Sequence, residues 1–187
     1  GESSARDSLV KECLDALVAI GVDKADPGHA VSKDIYVKWF EKLFREETTR
    51  FYTEEAAAHA PEGTGSLVAL MTRRVAAEEA RLEHCLQHSP TAGRLASVLN
   101  GVFVRPYRGR LVEYFGEALA KGDEEALGRT YALLSRVVGY VDPLFPLVQA
   151  QIEREGMAAM EAAAAADAKT PELYVRAVVG VHSKYKR

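Results

Sequence analysis

The sequence of 187 residues predicts an all-α protein, an elongated stack of antiparallel helices, and three observations carry that prediction. Apolar residues recur every three or four positions along most of the chain, the spacing of a helix face. Proline, glycine and capping residues fall between those runs, where helices stop and start. Nothing reads as a strand: the one short alternation, Val102 and Val104, is embedded in helical context.

The first helix is expected from Ser4 to Ile20, with Leu9, Cys13, Ala16, Leu17 and Ile20 on one side and Gly21 to end it. Val22 to Ala30, containing Pro27-Gly28, is a connector. The run from Ser32 to His59 is the most informative stretch. Tyr36, Phe40 and Phe44 lie on one line, Ile35, Trp39 and Leu43 lie beside it, and Phe51 and Tyr52 follow. Two adjacent apolar stripes make a face wide enough to touch neighbours on both sides, as a repeating helical array requires. At its rise per residue such a helix spans roughly 40 Å. Ala60-Pro61-Glu62-Gly63 ends it.

A further helix is expected from Ser66 to His88, and Ser89-Pro90 breaks it. A short helix from Ala92 to Leu99 gives way at Asn100-Gly101. The next presents Tyr107, Leu111, Tyr114, Phe115 and Leu119. Gly122-Asp123-Glu124-Glu125 is a stop, a cap and an acidic first turn favourable to the helix dipole, opening a helix that runs to about Val138. Asp142-Pro143 is a second cap with proline in the first helical position, leading through Ile152 and Met157 into the alanine run 162–166. Thr170-Pro171 caps the last helix, which carries Leu173, Tyr174, Ala177, Val178 and Val181. The seam near Ser89-Pro90 divides the chain into residues 1–89 and 90–187.

Composition narrows the function classes. Apolar residues make up 48% of the chain, ample for a core, and the formal charge of −3 argues against nucleic acid or a membrane surface as partner. No apolar run approaches the ~20 residues of a membrane span, and no signal-peptide layout opens the chain. Cys13 and Cys85 are read as small buried hydrophobes in a reducing compartment, so cytoplasm or nucleus is the expected location.

The strongest chemical constellation is Glu83-His84-Cys85-Leu86-Gln87-His88, whose histidines share a helix face and could ligate a metal. Cys85 stands where a metalloprotease helix needs glutamate, and no histidine follows a glutamate by three residues, as di-iron bundles require. Solvated histidines are the better reading. The acidic pairs Glu46-Glu47, Glu54-Glu55 and Glu78-Glu79 stand beside Arg45, Arg50, Arg73, Arg74 and Arg81 at the spacing of solvated helix faces. Gly63-Thr64-Gly65 lacks the lysine of a phosphate loop. Trp39 is read as core rather than as an interface anchor. No catalytic, cofactor-binding or metal-ligating residue is assigned, and no cofactor or small-molecule substrate is expected.

Four segments, in order, resemble the cullin family. In the long helix these are Tyr36, Phe40-Glu41, Phe44, Thr48, Phe51-Tyr52 and Glu55; in the next, Arg74, Glu78, Arg81, Leu86 and Ser89. The run Leu127-Gly128-Arg129-Thr130-Tyr131-Ala132-Leu133-Leu134-Ser135-Arg136 is the most distinctive. Ile152, Gly156, Tyr174-Val175 and Val181-His182-Ser183-Lys184-Tyr185 complete the pattern. Pro106, Gly109, Gly116, Gly180, Tyr140 and the alanine run depart from it, as in a divergent member.

The resemblance is closest to the cullin of F-box-type ubiquitin ligases, and it implies more than periodicity does. It implies a cullin-repeat-like solenoid, with residues 1–89 as part of the second repeat and 90–187 as most of the third. It implies a non-catalytic, rigid scaffold segment of a multisubunit cullin-RING E3 ubiquitin ligase, spacing the substrate adaptor from the RING/E2 module. The adaptor and the RING subunit would be bound by regions outside this chain. The residues alone leave two other readings open: a helical tether unrelated to ubiquitin, and a compact bundle using His84 and His88 with a metal.

Overall fold

The computed structural model describes residues Glu12, Cys13, Ala16, 40–85, 91–167 and 170–186. The described residues hold seven α-helices and no strand. They are α1 (Lys42–His59), α2 (Thr64–Cys85), α3 (Thr91–Leu99), α4 (Arg108–Lys121), α5 (Glu124–Leu134), α6 (Leu144–Asp167) and α7 (Pro171–Tyr185). Packing divides the chain into two compact units, Gly1–Arg108 and Gly109–Arg187. The expected first helix and the stretch 32–39, with Tyr36 and Trp39, lie outside the described residues, apart from Glu12, Cys13 and Ala16. Cys13 itself is exposed, not buried; the apolar neighbours that placed it in a core, Leu9, Leu17 and Ile20, are not among the described residues.

In the first unit α1 and α2 form a hairpin through a 3-10 turn, Ala60–Glu62. Gly63 closes that turn at φ 114, a conformation that strains any residue with a Cβ. The core takes Leu67, Val68, Leu70, Met71 and Val75 from α2, the inward row of a helix, and Tyr52 and Ala56 from α1. The helix after Ser89-Pro90 does not give way at Asn100-Gly101. It continues as a π-helix, Asn100–Val104, with Arg105 N donating to Asn100 O at 3.0 Å. The wider turn sets three consecutive residues inward: Val102, Phe103 and Val104 are 7%, 0% and 0% exposed. Burying one phenylalanine side chain contributes ~1.5–3 kcal/mol. A helical glycine costs ~1 kcal/mol, so burial wins over the Asn-Gly stop signal.

The second unit contains α4 to α7. Gly122, at φ 69, ends α4. Asp123 then caps α5, its side chain accepting from Ala126 N at 3.0 Å, with Glu124 and Glu125 in the first turn as expected. Helix α5 stops at Leu134, four residues short of Val138. Beyond it the backbone bonds tighten to three-residue steps, Val137 N to Leu134 O at 3.1 Å and Tyr140 N to Val137 O at 3.1 Å. Val138 is 100% exposed, so no burial holds that last turn helical. Helix α6 begins one residue after Pro143 and includes the alanine run, of which Ala163 is buried. Thr170 and Pro171 stand at the start of α7 as the sequence predicts, but the Thr170 side chain makes no capping hydrogen bond. Lys184 Nζ meets both carboxylate oxygens of Glu155 at 2.8 Å, which makes α6 and α7 an antiparallel pair across their short connection.

The sequence pattern also puts Phe40, Phe44, Phe51, Tyr131, Leu134 and Ile152 in the core; of these Leu134 is fully buried, and Phe40, Phe44 and Ile152 are half-buried. Phe51 and Tyr131 are each 53% exposed. Successive residues on a helix point about 100° apart. Tyr52 takes the inward position beside Phe51, and Thr130 and Leu134 take it on either side of Tyr131.

Candidate interaction surfaces

Three polar ties join α1 to its neighbours within the first unit. The Tyr52 hydroxyl donates to Glu78 Oε1 on α2 at 2.5 Å, and Arg81 donates to the same oxygen. Arg74 Nε of α2 reaches Glu55 Oε2 at 2.9 Å and Oε1 at 3.1 Å, and its Nη2 adds a further bond. Arg94 of α3 pairs with Glu41 at the start of α1. Glu41, Glu78 and Tyr52 are only 1%, 4% and 5% exposed. The Tyr52 ring also stacks at a tilt against Phe103 of the π-helix, centroids 5.2 Å apart.

Burial, then the bond to the Glu78 carboxylate, holds the Tyr52 phenol far above its ordinary pKa. The Glu55 carboxylate likewise holds the Arg74 guanidinium above its own. A buried ion pair is weak evidence for stability, because taking two charges out of water costs about what their attraction returns. Its clearer effect is on register: each tie forms at one alignment of α1, and any other would separate the buried Glu41 from Arg94 and leave Glu78 with only Arg81 of its own helix. Glu41 shows the cost, since its Oε2 is buried without a hydrogen-bond partner.

The reading of solvated acidic faces is therefore corrected for two of its six carboxylates, Glu55 and Glu78. Glu47 and Glu54 do sit on an exposed face with Arg50, at 2.5 and 3.6 Å. Glu55 and Glu78 instead bridge helices. The missed signal was position. Leu67, Met71, Val75, Glu78 and Leu82 are one stripe at helical spacing, so Glu78 occupies a core slot. Glu41 stands in the same relation to Phe44, Thr48, Tyr52 and Ala56.

An open groove of about 330 Å³ runs between α1 and the α3–π-helix segment, lined among others by Thr49, Thr53, Ala56, Val98, Val102 and Tyr107. Thr53 spends its hydroxyl on the backbone, donating to Thr49 O at 2.7 Å. In the second unit, besides Tyr131 and Val138, six exposed apolar residues lie on α6 and α7: Phe145, Met157 and Met160 on the first, Val175, Val178 and Val179 on the second. No residue of α7 is fully buried. Its polar ties to α6 converge on Glu155, which meets Lys184 and Tyr185. The Lys184 bond holds the Glu155 carboxyl below its usual range, and burial with the Glu155 bond raises the Tyr185 phenol.

His88 and the side chain of His84 lie outside the described residues, as does Trp39. Among the described residues no group of three or more histidine, cysteine, aspartate or glutamate side chains is arranged to hold a metal ion. No described helix is long and apolar enough to cross a membrane.

Residues 1–187 match the family model of the Cullin alpha solenoid domain. The chain is 30% identical to Cullin-1 of Caenorhabditis elegans over 96% of its own length and 23% of that relative's. It is 25% identical to Cullin-1 and 24% identical to Cullin-5 of Dictyostelium discoideum, in each case over 95% of its own length and 23% of the relative's. It thus spans about a quarter of the length of these relatives.

Proposed function

This chain belongs to the cullin family, and from that premise we propose that it is a rigid scaffold segment of a cullin-RING E3 ubiquitin ligase, with no chemistry of its own. The observation that carries the proposal is the family match over the entire chain, together with described residues that form helices joined by turns and no strand. In this reading residues 1–89 belong to the second cullin repeat and 90–187 to the third, and the protein works in the cytoplasm or nucleus.

The mechanism is geometric. A stalk of packed helical repeats holds a substrate adaptor and a RING/E2 module at a set separation, so that a tethered substrate meets the ubiquitin donor at high effective concentration. Each sliding or tilting helix pair would blur that separation. The Tyr52–Glu78, Arg74–Glu55 and Arg94–Glu41 ties suit the task, because each is made at only one helix alignment. The adaptor and RING subunit are held by parts of the protein other than these residues.

Immunoprecipitation from source cells with an antibody against this chain, read by mass spectrometry, tests the proposal. The expected capture is a species of several times 20.4 kDa together with a RING subunit and an adaptor. Capture of the antigen without either partner would overturn the ligase reading and favour a helical tether.

A further inference from the structure

We draw no further inference here: the strongest candidate, the outward apolar face of α7 formed by Val175, Val178 and Val179, is an unpartnered helix face and nothing in the structure shows what covers it.

Discussion

The two compact units place their polar and apolar groups in opposite ways. The first carries buried carboxylates in its core, Glu41 and Glu78, each paired with a residue from another helix or another turn. In the α6–α7 pair of the second, the charged tie is exposed at Lys184 and the large apolar side chains are turned outward. Where α1 is tied through carboxylates shielded from water, Glu41 and Glu78, α7 is held by half-buried contacts and an ion pair that water and salt can screen. Burial thus decides how much a given pair of charges specifies.

The largest expected effects come from apolar cores, and they calibrate the comparison. Phe103→Ala in the first unit should cost ~3–5 kcal/mol, and Leu134→Ala in the second ~2–5 kcal/mol, because both side chains are fully buried. Phe51→Ala, at 53% exposure and with an edge contact to the Tyr52 ring, should cost only ~0.5–1.5 kcal/mol. Native-state hydrogen exchange followed by mass spectrometry reads each unit separately. A Phe51→Ala loss matching that of Phe103→Ala would show that the inward face of α1 has been assigned to the wrong residues.

Next in size is the polar core. Tyr52→Phe keeps the ring on Phe103 but leaves Glu78 without its phenol donor, a loss of ~1–3 kcal/mol. Urea midpoints of the two proteins near neutral pH measure it. Equal midpoints would mean that water serves Glu78 as well as Tyr52 does, and the tie would lose its specifying role.

The helical class was legible because its signals are local. Spacing, Gly122-Asp123 and Thr170-Pro171 name helix faces and ends without knowledge of any neighbour. The π-helix and the buried carboxylates depend on neighbours. Asn100-Gly101 reads as a break until Phe103 is seen to be wholly buried, and Glu78 beside Arg81 reads as a surface pair until Tyr52 arrives from α1. Family resemblance did include Glu41, Tyr52, Glu55, Arg74, Glu78 and Arg81, but as a pattern without a reason. Their reason is the set of ties between helices. Surface assignment failed for a related cause: Phe51 and Tyr131 are large and apolar, yet each yields the inward position to a residue next to it in sequence.

A pH titration separates the tyrosine tie from ordinary packing. Burial raises the folded pKa of Tyr52 above the value near 10 of an unfolded chain. Its contribution is therefore complete below about pH 10, and the first unit should lose stability as pH rises beyond that, since only the unfolded state readily gives up the proton. Exchange in α1 and α2 should rise more steeply between about pH 10 and 11 in the parent protein than in Tyr52→Phe, after correction for the intrinsic rate. Superimposable alkaline limbs would remove Tyr52 as their source.

The smallest effect belongs to the exposed tie, and it has the opposite sign in pH. Lys184 lowers the folded pKa of Glu155, so the pair contributes above the unfolded carboxylate range near 4.3 and is lost as pH falls through the folded value. Lys184→Met removes the cation and keeps much of the stem's packing. The α6–α7 pair of that variant should show a flatter acid limb below about pH 4.3 than the parent, and added salt should narrow the difference because the ammonium is open to water. Exchange in α1 and α2 serves as the internal control, since their ties do not involve Lys184. Identical acid limbs in parent and variant would mean that the Lys184 cation does not hold α7 to α6, and the contrast between a charge-locked α1 and a charge-clasped α7 would fall.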